Sequence, residues 1–573
     1  MFSSCPPAYG RWVRQQSCRR AILTCYLVSS RRRYTKSVTG DGEKTTFEAL
    51  GIRQGVAASL RAAFPHVNYP TSMQRKLIPA IFGKKDIVLQ DYTGSGKSFA
   101  VIVALLNKQW PFTHNVVDDG KGTKKGITTL VIVPHRDLAY QYLQWIQSIL
   151  TAKGTAAPST LSSIAKVLVR GFRTENMHEN VSYLAGSILS PTSDLSAFRR
   201  DPPPILISTP NAIMDVIIRE PEFLHLHTLS TVVVDEVDSL LEWVPSRKSH
   251  NTQRKIQKKM DKHPMILRQI MDVLFASETE NRPVYAPVQR PQLILLSATM
   301  RKRLRDALFG DFGWLKRGNV TRLIRVTSKS LPAHALNRMA IHHVLVVSED
   351  GSIRNLPGAR SAKDEEKGWS GANEDTPFVE DVDDSPYEED DIVVNEEDAG
   401  MAGTPLRVNP AVLEAVASAV ALDVPRVALL ILPATASVRR VVFELRQLGV
   451  DAHALDLLGN EGSQARFLSQ DVDAPAENPV LLVSTLATTR GIDFPMLSHV
   501  FLFGIPRVRS GDTYLHMGGR VGRFGRKGKV ITILESRKEE RKGKGNVVED
   551  EPKKMTVMLK RMGIAPTKFE HFD

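Results

Sequence analysis

Short runs of β-branched and other apolar residues, each ending in a polar loop, recur along the chain from about residue 41 onward. Amphipathic stretches that are long enough for helices separate these runs. Strands alternating with helices indicate a parallel sheet, because parallel strands need a long crossover connection. The runs form two groups, at 86–89, 130–133, 205–207, 231–234 and 293–296, and at 342–347, 427–432, 479–483, 500–503 and 530–533.

The second group restarts the pattern, which predicts two α/β domains in tandem, each a parallel sheet flanked by helices. At 573 residues the chain is also too long for a single hydrophobic core. We expect the first domain over 41–330 and the second over 336–535, with the boundary near 326–338. No apolar run approaches the roughly 18 residues that a membrane-spanning helix needs.

The first 40 residues contain no Asp or Glu but eight Arg or Lys, together with many Ser and Thr. This composition is typical of a mitochondrial presequence and predicts a matrix location. A disordered basic arm that binds RNA is the alternative. All three cysteines (Cys5, Cys18 and Cys25) lie in this segment, so a processed chain would have no disulfide and no cysteine metal site.

The net charge of +14 is unevenly distributed. Residues 364–398 carry sixteen Asp or Glu against the single Lys367, which predicts a disordered acidic insertion over about 349–405. Without this segment and the first 40 residues, the remaining chain carries +21, as expected of a surface that binds a phosphate backbone.

The acidic segment suggests competition with RNA for that basic surface. Deleting 364–398 should then tighten RNA binding at low salt, because a competing polyanion is removed. Fluorescence anisotropy with a labelled RNA measures this. Unchanged affinity would instead indicate a tolerated surface insertion.

A glycine-rich loop follows the run at 86–89. Its glycines let backbone N–H groups approach phosphates closely, and a helix starting near Lys97 adds positive potential. Lys97 would neutralise the β- and γ-phosphates, and the Ser98 hydroxyl would coordinate Mg²⁺. The loop therefore predicts binding of ATP and Mg²⁺, although a chance Gly-Lys-Ser in a turn is the alternative. Its residues are Asp91, Tyr92, Thr93, Gly94, Ser95, Gly96, Lys97 and Ser98.

Two further loops carry chemistry. The run at 231–234 ends in Asp235 and Glu236, where Asp235 can hold Mg²⁺ and Glu236 can orient and deprotonate an attacking water. Acidic residues that merely cap a strand are the alternative. Far along the chain, Arg520 and Arg523 are separated by two residues in a glycine-rich segment. A nucleotide site completed by both segments would couple ATP binding to domain closure.

In this order, over about 47–528, the motifs resemble those of the DEAD-box family of superfamily 2 RNA helicases. Residues 93–98 resemble motif I, 235–238 motif II with a valine for the usual alanine, and 297–299 motif III. Residues 69–74 resemble the adenine-reading Q motif, because the Gln74 amide both donates and accepts hydrogen bonds; Phe47 matches its upstream aromatic. Residues 485 and 490–493 resemble motif V, and 514–523 resemble motif VI.

This resemblance implies two tandem RecA-like domains and a role for each matching residue. Lys97, Asp235, Glu236 and the arginine fingers Arg520 and Arg523 would be catalytic, with Ser98 and Asp235 on the metal. Phe47, Gln74, residues 91–98 and the ribose-contacting Asp493 would bind the nucleotide. Ser297, Thr299 and His516 would couple hydrolysis to RNA release. RNA would contact Pro134, Arg136, Gly171, Thr209, Pro210, Arg466, Thr485 and Gly491.

Some positions depart from the family pattern. Met517 stands where arginine is usual, and Asn211-Ala212 replaces a Gly-Arg pair, whereas the ATPase residues are retained. The expected activity is that of an ATP-dependent RNA helicase, acting locally on structured RNA. Fungal mitochondrial members linked to assembly of the large mitoribosomal subunit are the most similar in arrangement, which implies a monomer acting on ribosomal RNA in an assembly intermediate. An ATP-gated RNA clamp or assembly scaffold, and a DNA helicase, remain open.

Two basic segments lie outside these motifs. A predicted insertion over about 243–290 carries seven Arg or Lys against Asp261 between residues 246 and 263, either as a solvated helix face or as a contact with RNA or the ribosome. A basic C-terminal tail is expected over 536–573, where 537–544 would extend the RNA track.

Overall fold

Residues 46–573 belong to one compact unit. The computed structural model describes residues 45–108, 126–152, 158–170, 187–189, 198, 202–220, 224, 226–241, 250–275, 287, 289–300, 302–310, 312–315, 318, 320–324, 340–361, 408–433, 436–457, 478–504, 511–522, 527–536, 538–542 and 545–572. In these ranges, no helix is both long and apolar enough to span a membrane.

The first lobe is built on an eight-stranded parallel sheet with the order β4-β3-β5-β2-β6-β7-β1-β8. Its central strands are buried on both faces, which is why they appear in the sequence as continuous apolar runs. The strands are β1 (Asp86–Gln90), β2 (Thr129–Ile132), β3 (Ala165–Leu168), β4 (Ile188–Leu189), β5 (Ile205–Ser208), β6 (Thr231–Val234), β7 (Gln292–Ser297) and β8 (Val320–Ile324).

The second lobe has a seven-stranded sheet with the order β10-β9-β15-β14-β11-β13-β12, in which only β10 is antiparallel to its neighbour. A separate hairpin pairs β16 with β17. The strands are β9 (Ala340–Val347), β10 (Ile353–Asn355), β11 (Val427–Leu432), β12 (Asp451–Ala454), β13 (Val480–Thr485), β14 (Leu497–Phe503), β15 (Gly528–Glu535), β16 (Lys538–Lys542) and β17 (Gly545–Glu549).

Helices connect the strands and cover the sheets, and short 3₁₀ turns lie at Glu48–Leu50 and Leu226–Thr228. The helices of the first lobe are α1 (Gln54–Ala63), α2 (Gln74–Phe82), α3 (Lys97–Leu106), α4 (Arg136–Thr151), α5 (Pro158–Ile164), α6 (Pro210–Arg219), α7 (Val237–Leu240), α8 (His250–Lys262), α9 (Ile266–Phe275) and α10 (Lys302–Phe309). Those of the second are α11 (Pro410–Asp423), α12 (Val438–Gln447), α13 (Leu486–Thr489), α14 (Gly511–Gly518) and α15 (Glu551–Met562).

The prediction of two parallel α/β sheets is confirmed, and each of the predicted apolar runs coincides with a strand to within a residue or two. The predicted boundary at 326–338, the predicted presequence and the acidic residues 364–398 lie outside the described residues. The first part of the predicted insertion at 349–405 is ordered, because β10 pairs with β9 to form a hairpin through residue 355.

The second half of the predicted basic insertion at 243–290 is also part of the fold. Helix α9 buries Leu267, Ile270, Met271 and Leu274 in the hydrophobic core of the first lobe. This spacing of three and four residues places them on one face of a helix. Only α8, before it, has the exposed character expected of an insertion.

The segment 536–573, which we expected to be a basic tail, is instead part of the second lobe. Met555 and Leu559 of α15 are buried, and so is Phe569. The Thr567 N–H donates to the His342 carbonyl of β9 (2.8 Å), and the Phe569 N–H donates to Asn355 Oδ1 of β10 (2.7 Å). The chain end therefore completes the edge of the second sheet.

Candidate active site

The glycine-rich loop lies between β1 and α3, at the carboxyl end of the first sheet. Gly94 and Gly96 have φ of 81° and 84°, in the left-handed region that glycine adopts without steric cost. A Cβ atom on Gly96 would lie 2.4 Å from Gln74 Nε2. The loop therefore requires glycine at 96 for both conformation and space, and its backbone N–H groups precede the N-terminus of a helix as a phosphate site needs.

The side chains that follow the loop are held in place by short hydrogen bonds. Lys97 is buried and its Nζ donates to the carbonyl oxygens of Asp91 (2.6 Å) and Tyr92 (2.8 Å). Ser98 Oγ donates to Asp235 Oδ2 (2.6 Å), which joins the start of α3 to the end of β6. The structure thus brings together the loop and the first carboxylate, 137 residues apart.

Glu236 is buried next to these groups, and its φ of 50° is uncommon for a residue other than glycine. Its Oε2 has no hydrogen-bond partner among the described residues. Burial, together with the negative charges of Asp238 and Asp235, raises the pKa of Glu236 to about 7. This carboxyl can therefore accept a proton near neutral pH, which is the property that a general base needs.

The hydroxyl pair after β7 contacts the same acidic segment. Ser297 Oγ donates to Asp238 Oδ1 (2.7 Å), and Thr299 Oγ1 donates to Asp238 Oδ2 (2.6 Å). From the second lobe, Arg490 Nη1 lies 3.6 Å from Asp238 Oδ2. The predicted coupling residues Ser297 and Thr299 thus share a carboxylate with an arginine of the other lobe.

The arginine-bearing turn of the second lobe touches the glycine-rich loop. A Cβ atom on Gly519 would lie 2.5 Å from Thr93 Oγ1. The next residue, Arg520, is buried, and its Nη1 donates to the Ile492 carbonyl (2.9 Å). The two predicted halves of the site are therefore in contact. Arg523 and the His516 side chain lie outside the described residues, so their roles stay predictions.

Helix α4 makes contacts at the site that the motifs did not indicate. The Tyr142 hydroxyl, fully buried, donates to Asp235 Oδ2 (2.7 Å). Gln141 Nε2 donates to the Asp493 carbonyl (2.7 Å), and its Oε1 accepts from the Asp493 N–H (3.1 Å). Adjacent residues of one helix therefore hold the carboxylate of the first lobe and the backbone of the second.

Asp235 and Ser98 suit a magnesium ion. They supply a carboxylate and a hydroxyl, both hard oxygen donors, and the described residues contain no cluster of three or more His, Cys, Asp or Glu that would hold a metal alone. Mg²⁺ is commonly bound through one or two protein oxygens together with substrate phosphates and water. When bound with a nucleotide, it would neutralise phosphate charge.

Replacing Tyr142 with phenylalanine should raise the Mg²⁺ concentration needed for nucleotide binding by about 10–100-fold, the usual cost of losing an outer partner of a metal ligand. The hydroxyl orients Asp235 and stabilises its negative charge. Binding of a fluorescent ATP analogue, titrated with Mg²⁺, measures the effect. Tyr514→Phe is the control, because the buried Tyr514 hydroxyl contacts His342 in the second lobe. An equal shift in both variants would contradict the assignment.

His135 links the N-terminus of α4 to the second lobe in its neutral form. Its Nε2 donates to the Arg490 carbonyl (2.6 Å), and its Nδ1 accepts from the Leu138 N–H (3.3 Å) as the N-cap of α4. Burial lowers the pKa of His135 to about 4, and the nearby charges of Arg520, Arg490 and Arg136 act in the same direction. Protonation would remove the acceptor at Nδ1 and place a cation among arginines.

Lobe closure should therefore weaken below pH 6.5 by up to about tenfold per unit through His135 alone, since an open chain with an ordinary pKa of 6.5 must release a proton to close. This contribution is complete above pH 6.5 and is lost towards pH 4. Asp137 opposes it: burial raises its pKa to about 6, so closure takes up a proton there as the pH falls.

A His135→Gln variant separates the two effects, because glutamine retains an N–H donor but does not titrate. Fluorescence energy transfer between dyes on the lobes, with RNA and a non-hydrolysable ATP analogue, should show closure falling from pH 7.5 to 5.5 in the unmodified protein. In the variant closure should rise slightly, through Asp137. Identical pH responses in the two proteins would exclude His135 as the titrating group.

Several predicted RNA contacts are engaged between the lobes in this structure. Arg136 forms an ion pair with Asp456 (2.6 Å), and a Cβ atom on Gly491 would lie 2.6 Å from Leu138 Cδ2. The Asp137 carboxylate accepts from the Leu457 N–H (2.9 Å). Arg136 and Gly491 are thus interlobe residues here rather than parts of an open RNA surface.

The other predicted RNA contacts lie at helix starts or outside the described residues. Thr209 precedes α6, and Pro210 is its first residue. Thr485 caps α13 in a capping box with Thr488. Pro134 is partly exposed just before α4. Gly171 and Arg466 lie outside the described residues and stay predictions.

The predicted adenine-reading residues contact protein in this structure. Gln74 Oε1 accepts from the Thr71 N–H (3.0 Å), and its Nε2 donates to the Gly96 carbonyl (3.2 Å). Phe47 is fully buried in the hydrophobic core, so its ring has no face exposed for a base. Here Gln74 supports the glycine-rich loop, and Phe47 is a core residue.

Comparison with known proteins gives the same picture as the geometry. Residues 71–307 match the family model described as DEAD/DEAH box helicase, and residues 459–525 match the helicase conserved C-terminal domain. DEAD-box ATP-dependent RNA helicase 47B of Oryza sativa subsp. japonica is 26% identical over 258 residues, covering 44% of this chain and 37% of that protein. ATP-dependent rRNA helicase SPB4 of Yarrowia lipolytica is 28% identical over 174 residues, covering 30% and 27%.

Solved structures share the fold. Dbp5 of S. cerevisiae bound to RNA and ADP BeF3 superposes with a TM-score of 0.52 at 16% identity, covering 92% of this chain and 96% of that one. Mss116p bound to ssRNA and AMP-PNP gives 0.53 at 15% identity, covering 92% and 80%. At this identity the likeness shows the fold alone.

The chain spans only about a third of the length of the curated relatives that it matches. The two family models nevertheless follow one another along it and together cover more than half of its residues. The first includes the glycine-rich loop and the paired carboxylates, and the second includes the turn with Arg520. The chain belongs to the DEAD-box family of helicases.

Proposed function

We propose that this protein is an RNA-stimulated ATPase that separates short stretches of RNA duplex. The observation that carries the proposal is the contact between the two halves of the site, where the turn holding Gly519 and Arg520 meets Thr93 of the glycine-rich loop. Each lobe alone lacks part of the catalytic set. ATP hydrolysis therefore depends on closure, and RNA that favours closure accelerates it.

The residues divide the chemistry between the lobes. The loop N–H groups and Lys97 bind the phosphates of ATP, while Ser98 and Asp235 hold Mg²⁺. Glu236 accepts a proton from the attacking water, and its pKa of about 7 suits that task. Arg520, brought from the second lobe, stabilises the charge that develops on the transferred phosphoryl group. Positioning and electrostatics, rather than covalent steps, supply the rate enhancement.

Ribosomal RNA of the mitochondrion, during assembly of the large ribosomal subunit, is the proposed substrate. Several of the relatives are named ATP-dependent rRNA helicases, which supports a ribosomal RNA. The basic body of the chain supports binding through the phosphate backbone. The acid-free, arginine-rich first 40 residues support import into mitochondria.

The activity is tested with a purified protein comprising residues 35–573. ATP hydrolysis should rise on addition of RNA and much less on addition of DNA of the same sequence, and a short RNA duplex should separate in an ATP-dependent manner. Equal stimulation by DNA would favour a DNA helicase instead.

Location and substrate need separate experiments. Residues 1–40 fused to a fluorescent protein should direct it into energised mitochondria, whereas a fusion with its eight Arg and Lys changed to Gln should stay outside. A fusion that binds RNA but is not imported would indicate a basic RNA-binding arm. Crosslinking the full chain in mitochondria and sequencing the bound RNA identifies the substrate.

An ATP-gated RNA clamp is the second candidate function. Met517 is buried in the hydrophobic core at a position where the family resemblance implies an arginine, and α4 adds several interlobe hydrogen bonds. Both features favour a stable closed state over a polar contact with RNA. RNA-stimulated ATP hydrolysis without strand separation in the duplex assay would support the clamp.

A further inference from the structure

Helix α8 presents a basic surface that the catalytic machinery does not use. Arg254, Lys255, Lys258, Lys259 and Lys262 are all exposed, and no residue of α8 whose burial is described is buried. The cations form two neighbouring rows, 254-258-262 and 255-259, because residues four apart lie on one face of a helix. The opposite face carries the half-buried Ile256 and Met260.

The charges on α8 have no acidic counterpart. None of the ion pairs formed by the described residues involves α8. Pairs of like charges four residues apart destabilise a helix, and α8 contains three of them. A face that serves only solubility usually mixes both signs, whereas a large field of one sign attracts a charged partner.

The position of α8 places these charges on the lobe that carries the predicted RNA contacts. Helix α8 lies between the carboxylate-bearing turn, which ends with α7, and α9. Helix α9 packs against α6 through residues such as Met271 and Ile213 in one hydrophobic cluster. Helix α6 begins at Pro210, directly after Thr209. The basic helix is therefore anchored, through α9, to the element expected to guide RNA.

We propose that α8 is a second RNA-binding surface, which binds the phosphate backbone of RNA outside the cleft whether or not nucleotide is present. The proposal rests on the proposed function, because it assumes that RNA is the substrate. Lysine and arginine without ordered base contacts recognise phosphate rather than sequence, so this surface retains the enzyme on structured RNA of any sequence. Strand separation in the cleft then occurs repeatedly on one bound molecule.

The test uses the full chain with Lys255, Lys258, Lys259 and Lys262 changed to Gln, which preserves side-chain length and helix propensity. On a single strand flanked by a duplex, without nucleotide, RNA affinity at 50 mM salt should fall at least about tenfold. The slope of log K against log salt should fall by up to about 3, at roughly 0.7–0.9 per phosphate contact. A short single strand that fills only the cleft should lose little affinity, and kcat at saturating RNA should be unchanged.

A matched control removes the same number of exposed charges from α15 in the second lobe, through Lys553→Gln, Lys554→Gln, Lys560→Gln and Arg561→Gln. Retained RNA affinity in this control supports a specific surface on α8, whereas equal losses in both variants would show a bulk charge effect and overturn the proposal. Unchanged affinity and salt slope in the α8 variant would also overturn it. So would loss of binding to polyglutamate but not to RNA, which would assign α8 to an acidic protein surface.

The two proposals fail in different ways. If RNA does not stimulate ATP hydrolysis by the unmodified chain, the proposed function is wrong. If RNA stimulates hydrolysis but the α8 variant binds as tightly as the unmodified chain, only the role of α8 is wrong.

Discussion

Replacing Arg520 with glutamine should lower RNA-stimulated ATP hydrolysis by about 10³–10⁵-fold, the range in which an arginine finger contributes to phosphoryl transfer. The guanidinium is buried at the contact between the lobes, next to the glycine-rich loop, where its charge is weakly screened. Glutamine can still donate to the Ile492 carbonyl, so the local hydrogen bond need not be lost. Steady-state hydrolysis with saturating RNA measures the effect.

Nucleotide affinity separates catalysis from binding in this variant. Lys97 and the loop N–H groups belong to the first lobe, so the Kd for an ATP analogue should change by less than about tenfold, as expected for an interaction made mainly in the transition state. Arg446→Gln is the control, because Arg446 also donates to a backbone carbonyl of the second lobe, that of Ala452. A loss of hydrolysis below tenfold, or an equal loss in the control, would rule out Arg520 as the finger.

Replacing Glu236 with glutamine should lower hydrolysis by about 10²–10⁴-fold, the usual contribution of a general base. The amide fills the same space but cannot accept the proton of the attacking water. RNA binding and Mg²⁺-dependent nucleotide binding should persist, because Asp235, Ser98 and Lys97 are unchanged.

Two further measurements test this role of Glu236. Glu236→Asp should retain more activity than the glutamine variant, because aspartate is still a base and tolerates the left-handed backbone conformation better than most residues. The glutamine variant should unfold at an equal or higher temperature, since a buried carboxylate without a full set of hydrogen bonds costs stability. If glutamine and aspartate at 236 reduced hydrolysis equally, the base would have to be another residue.

The sheets and the catalytic loops were predictable because their signals are local. A fully buried parallel strand appears as an apolar run, and the residues that follow it meet at one edge of the sheet. This is why Lys97, Ser98, Asp235 and Glu236 could be placed together from their positions after strands. The same reasoning missed β3, β4, β8, β10 and β12, which are short or lie towards the edges of the sheets.

The errors have a physical cause in each case. Charge counts obscured the helical spacing of Met555 and Leu559, so a folded segment was expected to be a tail. Phe47 matched a motif, but a pattern of residues does not reveal whether a ring is buried. The contacts of His135 and Gln141 join residues about 350 positions apart, and no periodicity along a single chain indicates such a pair.

The anchoring of the chain end to β9 and β10 constrains the order of synthesis and folding. The backbone of β9 and the Asn355 side chain bind residues 567–572, which leave the ribosome last. The first lobe, whose last strand ends at Ile324, can fold while translation continues. The second lobe can complete its sheet only after the chain is released. A nascent chain therefore cannot form a closed ATP site, so it cannot hydrolyse ATP or grip RNA before synthesis is finished.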